Sequence, residues 1–239
     1  MRRNNKRFKV IAIIPAYNEE GKVGNVVKKT IPYVDRILVI DDGSSDNTYN
    51  EVKNSGAVVI KHMENMGVGA AIRSGVKYAL KNNFDICVPL SGDDQDNPKE
   101  IQKLAGYISK GYDFVQGSRY VPGAKIVDMP LFRKITTRLF SIFFSLMVWH
   151  NISDASNGFK AFKTSIINDK RINLGQDWLS RYELEPYLLY KAIKLNYKFI
   201  EAPVTKKYSK IKGYTKMKPI IDWWRITKPL VYLRIGIKK

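Results

Sequence analysis

The sequence predicts an α/β protein with a mostly parallel β-sheet covered by helices on both faces. Through the first 120 residues, short runs rich in Val and Ile alternate with segments of helical spacing. This alternation is typical of βαβ units. The length of 239 residues, 44% of them hydrophobic, is enough for one large domain with a buried core.

The predicted strands of this half are buried apolar runs bounded by turn residues: Val10–Pro15, Arg36–Ile40, Ala57–Ile60, Asp85–Leu90 and Phe114–Gln116. The predicted helices lie between them: Gly21–Ile31, Asp46–Ser55, Gly67–Asn82 and Pro98–Ser109. Asn97 suits the N-cap of the last helix, with Pro98 at N1 and Glu100 at N3. Ligands of such sheets bind beyond the carboxyl ends of the strands, so we expect the chemistry there.

The second half has a different pattern. We predict a helix over Leu131–Trp149 that begins with basic residues and continues as an apolar stretch, too interrupted to span a bilayer. A helix over Arg181–Asn196, a strand over Tyr197–Val204 and a basic loop over Lys206–Lys218 follow. The C-terminal segment Pro219–Ile237 interleaves aromatic and basic side chains.

Composition and charge exclude several classes of protein. One cysteine (Cys87) and two histidines (His62 and His150) exclude a disulfide framework and a Cys- or His-rich metal site. The formal net charge of +19 is uneven: residues 1–120 hold 18 basic and 14 acidic side chains, and residues 121–239 hold 23 and 8. A basic half attracts phosphates, whether of nucleic acid, nucleotide or lipid.

Two segments at predicted helix starts are candidates for nucleotide contacts. The segment 41–46 (Asp-Asp-Gly-Ser-Ser-Asp) follows a strand, and its carboxylates could accept hydrogen bonds from a ribose or base, or serve ordinary turns and N-caps. Gly67 and Gly69 open the third helix, with Arg73 one turn later. They could admit a phosphate to the helix amides, or only form a tight turn.

An acidic loop follows the strand Asp85–Leu90. In the segment 91–98 (Ser-Gly-Asp-Asp-Gln-Asp-Asn-Pro), three carboxylates within four residues would repel one another without a cation or water between them. Oxygen ligands of this type suit Mg²⁺ or Mn²⁺ shared with substrate phosphates. The alternative is a solvated acidic loop at a helix N-terminus.

Taken together, the ordered motifs resemble the family-two glycosyltransferases of the GT-A fold. The segments 14–20, 41–48 and 67–75 carry this resemblance, and the Asp93 loop lies where the family keeps its Asp-x-Asp motif. Further segments resemble the dolichol-phosphate mannosyltransferase branch, the polyprenyl-phosphate glycosyltransferases: 117–120, 154–160, 201–204 and 213–217. The chain departs from the family where Ser91 replaces the first Asp of the motif, leaving Asp93 and Gln95 as metal ligands, with Asp94 or Asp96 as substitutes.

The resemblance implies roles for individual residues. Nucleotide-binding residues would be Pro15, Tyr17, Glu19, Asp41, Asp42, Gly69, Arg73 and Asp93. Lys210 and Lys216 would close over the donor phosphates, and with Asp93 and Arg119 they form the expected catalytic set. Arg119, Arg133 and Thr137 would grip the acceptor phosphate; the spacing of Arg133 and Thr137 places both on one helical face. The alternative for this pair is a solvated basic helix end.

The two basic, aromatic segments of the second half bear on localisation. A basic helix carrying Trp lies readily at a membrane surface, although Phe140, Ile142, Phe143, Phe144 and Trp149 could instead face the core. We expect a protein held peripherally at the cytoplasmic face of a membrane. The expected organisation is a basic tail (1–9), a GT-A domain (10–218, with a nucleotide-sugar half 10–120 and an acceptor half 121–218) and an amphipathic C-terminal segment (219–239).

The expected activity is inverting transfer of a sugar from a nucleotide diphosphate-sugar (UDP or GDP) to a polyprenyl, dolichyl-type phosphate, with Mg²⁺ or Mn²⁺. The alternative acceptor is a sugar hydroxyl, which needs a carboxylate base such as Asp154 or Glu185. Asp154, Glu183 and Glu185 could equally be structural, paired with Arg181 or Arg171. A nucleic-acid-binding protein is a further class, but the basic residues lie on no recognised DNA- or RNA-binding motif.

Overall fold

The computed structural model describes residues 7–208 and 221–238. The strands of this part are β1 (Val10–Ala16), β2 (Arg36–Asp41), β3 (Val58–Lys61), β4 (Ile86–Pro89), β5 (Phe114–Ser118), β6 (Lys125–Val127), β7 (Lys160–Lys163), β8 (Phe199–Pro203) and β9 (Thr205–Lys207). The α-helices are α1 (Val23–Thr30), α2 (Thr48–Lys53), α3 (Val68–Lys81), α4 (Ile101–Ser109), α5 (Leu131–Val148), α6 (Leu184–Lys194) and α7 (Ile221–Arg234).

Seven strands form the main sheet, in the order β3-β2-β1-β4-β7-β5-β8. Every neighbouring pair is parallel except the two pairs made by β7, which is antiparallel to β4 and β5. The prediction of a mostly parallel sheet is therefore confirmed. The chain moves outward from β1 to β3 and then crosses to β4 on the other side of β1. This reversal creates a crevice at the carboxyl ends of β1 and β4, the usual ligand position in such sheets.

Helices cover both faces of the sheet, as the sequence predicts. One apolar core packs α3, α5 and α6 against the sheet through residues such as Ile13, Phe144 and Tyr187. The other packs α1 and α4 through residues such as Val27 and Leu104. Helix α7 lies against α5 and α6 and buries Leu230 completely, so its packing is continuous with the first core.

Three short strands depart from the sequence prediction. We predict no strand over β6 or β7, because each is only three or four residues long and begins with a lysine, which interrupts the apolar run expected of a buried strand. The prediction of a loop from Lys206 is wrong for Lys206 and Lys207, which pair with β6 as part of β9. The rest of that predicted loop lies outside the described residues.

Helix α5 is apolar on two sides. Phe140 and Phe144 face the core, whereas Ile142 and Trp149 are exposed, so the core-facing alternative holds for only part of that set of residues. The exposed residues form a stripe that we call the α5 apolar face: Leu131, Phe132, Ile135, Leu139, Ile142, Leu146 and Trp149. Within the described ranges no helix is long and apolar enough to cross a membrane.

Candidate active site

The loops after β1 and β2 are joined into one rim at the carboxyl edge of the sheet. The backbone N–H of Asn18 donates to Ser44 Oγ (2.9 Å), and the N–H of Glu19 donates to Thr48 Oγ1 (2.8 Å). Pro15 is half-buried, Tyr17 is exposed, and Glu19 is buried beside Lys22. The structure thus brings the predicted nucleoside residues Pro15, Tyr17 and Glu19 together with the segment 41–48.

The Asp42 carboxylate already makes hydrogen bonds to other groups of the protein. Its carboxylate accepts the N–H groups of Met66 (3.0 Å) and Gly67 (2.7 Å) and contacts His62 Nδ1 (2.7 Å). The other ring nitrogen of His62 lies 3.0 Å from Ser74 Oγ. Asp42 therefore fixes the loop that leads into α3, and its predicted nucleotide contact stays a prediction.

Asp41 has an unused carboxylate oxygen. Its Oδ1 accepts the N–H of Ser44 (3.0 Å), whereas Oδ2 has no hydrogen-bond partner within the described part of the chain. Lys61 Nζ lies 3.9 Å from that oxygen. A fully buried acceptor without a donor is costly, so Asp41 suits a ligand that brings an N–H or O–H group.

Gly69 and Arg73 contact other residues of the protein, in the segment 174–181. A Cβ on Gly69 would lie 2.3 Å from the carbonyl oxygen of Leu179 and 2.5 Å from that of Arg181. Arg73 Nη1 donates to the carbonyl oxygen of Leu174 (3.1 Å). The glycines at the start of α3 therefore admit the segment 179–181, and the predicted nucleotide roles of Gly69 and Arg73 stay predictions beside this packing role.

The acidic loop after β4 separates its side chains into two groups. Asp94 turns outward to Lys29 Nζ (2.6 Å), and Asp96 accepts Lys206 Nζ (2.7 Å) and the N–H of Ser91 (3.2 Å). Among the residues that the structure describes, one oxygen of Asp93 accepts a hydrogen bond, from the N–H of Gln95 (3.1 Å). Asp93 and Gln95 thus keep oxygen atoms for a hard cation, and their chemistry fits Mg²⁺ or Mn²⁺.

This loop supplies too few ligands for a metal by itself. In residues 7–208 and 221–238, no three His, Cys, Asp or Glu side chains are grouped to hold an ion. A cation on Asp93 and Gln95 would therefore take its remaining ligands from water and from substrate phosphates, the usual mode for Mg²⁺. Gly92 lies against Pro15, where a Cβ would be 3.2 Å from the carbonyl oxygen, so the acidic loop packs on the nucleoside rim.

Lys206 is a functional candidate that the sequence reasoning missed. Burial disfavours its ammonium group, but Asp96 and Asp93 raise the pKa of Lys206 above its ordinary value, so it stays charged. The N–H of Lys207 also donates to the carbonyl oxygen of Gln95 (2.9 Å). Strand β9 is thereby attached to the acidic loop, a contact between residues about a hundred positions apart that no local motif signals.

Arg119 forms the centre of a buried polar network. Its Nε and Nη2 atoms donate to the two oxygens of Asp154 (2.7 Å each), and Nη2 also donates to Ser156 Oγ (2.6 Å). Nη1 donates to the hydroxyl of Tyr208 (2.5 Å). Burial works against the charge, but Asp154 and Tyr208 raise the pKa of Arg119 above its ordinary value. Within residues 7–208 and 221–238, these contacts use four of the five guanidinium N–H groups.

A cavity of about 280 Å³ lies between α5, α6 and α7. It brings together the three predicted acceptor-phosphate residues, Arg119, Arg133 and Thr137. Apolar side chains of α5 and α7 line it as well, including Phe140, Phe143, Trp223 and Ile226. The cavity therefore combines cationic and hydroxyl groups with an apolar wall, as an amphiphilic ligand would require.

The three candidate carboxylates have different surroundings, and in the described residues they pair with cations other than the Arg181 and Arg171 of the structural alternative. Asp154 is closed off by Arg119, and Glu183 is buried beside Lys228 (3.0 Å) and Arg225 (4.0 Å). Glu185 lines the cavity, with Lys160 Nζ 3.1 Å away. Arg171 instead pairs with its near neighbour in sequence, Asp169 (2.6 Å).

Fold and site together define the chain as an α/β protein of GT-A type, with a crevice at the carboxyl edge of the sheet and a cavity between α5, α6 and α7. The family model "Glycosyl transferase family 2" matches residues 11–170, more than half of the chain. The chain therefore belongs to glycosyl transferase family 2 and is a nucleotide-sugar glycosyltransferase.

Named relatives span most of the chain. It is 32% identical to the UDP-N-acetylglucosamine–dolichyl-phosphate N-acetylglucosaminyltransferase of Methanococcus voltae, over 95% of this chain and 96% of the relative. It is 27% identical to the polyprenol monophosphomannose synthase of Mycolicibacterium smegmatis, over 82% and 77%. Among solved structures, glucosyl-3-phosphoglycerate synthase of Mycobacterium tuberculosis with Mn²⁺ and UDP has the same fold, with a TM-score of 0.69 at 17% identity, covering 97% of this chain and 81% of that one.

Proposed function

We propose that this enzyme transfers a sugar from a nucleotide diphosphate to a polyprenyl, dolichyl-type phosphate, with inversion at the anomeric carbon. The observation that carries the proposal is the cavity that places Arg119, Arg133 and Thr137 beside the apolar side chains of α5 and α7. A phosphate joined to an isoprenoid chain needs both kinds of surface. The names of the relatives in Methanococcus voltae and Mycolicibacterium smegmatis point to the same class of acceptor.

On the donor side, Asp93 and Gln95 would hold the divalent metal, and Pro15, Tyr17, Glu19 and Asp41 would form the nucleoside rim. Bound Mg²⁺ or Mn²⁺ would neutralise negative charge on the leaving diphosphate. Lys206 adds a fixed positive charge beside Asp93 and Asp96. Lys210 and Lys216 remain candidates for the donor phosphates, and both lie outside the described residues.

The acceptor chemistry requires little from the protein beyond orientation. A phosphate monoester with a second pKa of about 6 is largely a dianion at neutral pH. One of its oxygens forms the new bond to the anomeric carbon while the bond to the diphosphate oxygen breaks and its electron pair leaves with the nucleotide. Arg133 and the remaining N–H of Arg119 would orient that phosphate, and no general base is needed.

The alternative, transfer to a sugar hydroxyl, does need a base. Asp154 is unsuited because both of its oxygens accept from Arg119. Glu185 is the candidate base that lines the cavity. Glu185→Gln therefore distinguishes the two kinds of acceptor. The rate of transfer to a lipid phosphate should fall by no more than about tenfold, whereas the rate of transfer to a hydroxyl should fall at least ~100-fold.

The direct test of the proposed function is product formation from a short-chain isoprenyl phosphate. UDP- and GDP-sugars would be supplied in parallel with Mn²⁺ or Mg²⁺, with free sugars as competing acceptors. We expect a glycosyl isoprenyl phosphate with inverted anomeric configuration. Transfer to free sugars without transfer to the isoprenyl phosphate would contradict the proposal.

We also propose that the protein works at the cytoplasmic face of a membrane, with the α5 apolar face toward the lipid. Six exposed apolar side chains on one helix, with Trp149 as a seventh at its C-cap, are unusual for a water-facing surface, and Phe132 stacks on Trp223 of α7 (ring centroids 6.1 Å apart) beside the cavity. Arg133, Lys134 and Arg138 add charge suited to anionic headgroups. The proposed organisation keeps the nucleotide half at residues 10–120 and the acceptor half at 121–218, with α7 completing the acceptor cavity.

A further inference from the structure

Two tyrosines contact all three residues expected to bind the acceptor phosphate. Tyr208 is almost fully buried, with 1% of its surface exposed, and its hydroxyl accepts from Arg119 Nη1 (2.5 Å). The guanidinium carbon of Arg133 lies 5.1 Å from the centre of the same ring. One side chain therefore restrains both arginines, one through its hydroxyl and the other through its ring.

Tyr120 likewise makes one contact through its hydroxyl, to Thr137, and one through its ring, to Arg138. Its hydroxyl lies 2.5 Å from Thr137 Oγ1, which itself donates to the carbonyl oxygen of Arg133 (2.8 Å). The guanidinium carbon of Arg138 lies 3.9 Å from the centre of the Tyr120 ring. Burial raises the pKa of Tyr120, so its hydroxyl stays protonated and can donate to Thr137.

These contacts offset the electrostatic repulsion among three neighbouring arginine side chains. Arg119, Arg133 and Arg138 carry like charges within one small region, and without a bound anion they repel one another. Asp154 neutralises Arg119, whereas the negative faces of the two tyrosine rings attract the other two guanidinium groups. The arginines are thus held in place before a phosphate arrives, which lowers the cost of binding it.

Tyr208 also links this group to the donor side. It follows β9 directly, and in that strand Lys206 pairs with Asp96 while the N–H of Lys207 bonds to Gln95. The N–H of Tyr208 donates to the carbonyl oxygen of Val127 (3.0 Å), which fixes its backbone. The ring of Tyr208 is therefore held at a set position relative to the loop that carries Asp93.

We propose that Tyr120 and Tyr208 are positioning residues that set the acceptor-phosphate group in advance, Tyr208 by orienting Arg119 and Arg133 and Tyr120 by orienting Thr137. This inference rests on the proposed function, because it assigns a task to the same cavity. Neither tyrosine touches the reacting atoms in this scheme. We expect them to affect binding of the acceptor and to leave binding of the nucleotide sugar unchanged.

The test compares Tyr208→Phe, Tyr208→Leu and Tyr120→Phe in the full chain, with a short-chain isoprenyl phosphate as acceptor. Loss of one hydrogen bond to a charged group should raise the KM for the acceptor by ~3- to 30-fold in Tyr208→Phe, with the KM for the nucleotide sugar changed less than about twofold. Tyr208→Leu should raise it by a further factor of about three or more, because the ring beside Arg133 is also lost.

A double-mutant cycle isolates the contact between the ring and Arg133. In an Arg133→Gln background, Tyr208→Leu should be no worse than Tyr208→Phe. Tyr107→Phe, which removes a hydroxyl from a half-buried tyrosine pair outside the cavity, is the matched control and should leave both KM values unchanged. If Tyr208→Leu fails to fold, the Phe variants alone decide the matter.

Two outcomes would overturn the proposal in distinguishable ways. If the wild-type chain transfers sugar to the isoprenyl phosphate but both Phe variants keep the wild-type acceptor KM, the tyrosines have no positioning role and the proposed function stands. Equal increases in donor and acceptor KM would also exclude a role confined to the acceptor. If the wild-type chain makes no such product, the proposed function fails and the tyrosine assignment fails with it.

Discussion

Arg119 and Asp154 form a two-pronged ion pair in the interior of the protein, with both N–H···O distances at 2.7 Å. The N–H of Arg119 also donates to the same carboxylate (3.0 Å), and Asp154 is fully buried. The pair joins the end of β5 to the loop before β7. It therefore holds one wall of the cavity between α5, α6 and α7 and places the Arg119 side chain on that wall.

Asp154→Asn should destabilise the fold strongly, because it leaves a buried guanidinium without its counter-charge. Breaking one partner of a buried pair costs about 3–5 kcal/mol. Urea unfolding at neutral pH measures the free-energy change. Arg7→Gln, which removes an exposed guanidinium from Asp35, is the control and should change stability little. Equal, small effects of both substitutions would show that the Asp154 pair is not structural.

Asp93→Ala should abolish the metal-dependent part of nucleotide binding, because in the described part of the chain Asp93, unlike Asp94 and Asp96, is not paired with a lysine. A ligand at 100 times its Kd stabilises a protein by about 2.7 kcal/mol, so the lost stabilisation is measurable as a thermal shift with and without Mn²⁺. Asp94→Asn, on the side chain that turns to Lys29, should keep the full shift. The reverse result would place the metal on Asp94.

Gly69→Ala should destabilise the protein although the change adds only a methyl group. That methyl would lie 2.3 Å from the carbonyl oxygen of Leu179, and overpacking of this kind typically costs about 1–3 kcal/mol. Gly106→Ala is the matched control, since it lies in α4 with nothing within 4 Å of the new Cβ. It should stabilise the protein by about 0.5–1 kcal/mol. Similar unfolding free energies for the two variants would contradict the close packing at Gly69.

The α5 apolar face should govern binding to lipid vesicles. Leu139 and Leu146 are 58% and 68% exposed, and replacing both with Glu removes apolar area and adds repulsion from anionic headgroups. We expect co-sedimentation with phosphatidylglycerol vesicles to fall at least ~10-fold. Met63→Glu, at a fully exposed apolar residue away from α5, should leave it unchanged. Equal losses in both proteins would indicate a charge effect alone.

Cys87 should make stability fall at alkaline pH. Burial raises the pKa of the thiol from 9.0 to about 12, so the folded chain keeps the proton that the unfolded chain releases above pH 9. The unfolded state then binds fewer protons, and the free energy of unfolding falls by up to about 1.4 kcal/mol per pH unit between pH 9 and 12. Cys87→Ala should show a shallower slope over that window in urea unfolding. A slope identical to that of the wild type would rule out this contribution.

Much of the structure at the carboxyl edge of the sheet could be predicted from the sequence, because the sequence signals for these strands and loops are local. The alternation of apolar runs and helical segments set the strands β1 to β5 in their order, and the carboxyl ends of parallel strands meet at one edge. Asp41, Asp42 and the Asp93 loop therefore lie at the same edge of the sheet. The spacing of Asp93, Asp94 and Asp96 did not predict which of these carboxylates pair with lysines. The lysines that pair with Asp94 and Asp96 come from distant segments of the chain.

The sequence by itself determined the fold class, the edge of the sheet where ligands bind and the concentration of positive charge in the second half, since these depend on periodicity, strand order and composition. Tertiary structure decided which of the predicted site residues contact other residues of the protein and which can contact a ligand. Packing of 179–181 onto Gly69, the pairing of Asp154 with Arg119 and the approach of Tyr208 to two arginines all join residues far apart in the chain. Such contacts depend on shape and burial in three dimensions, and no one-dimensional pattern encodes them.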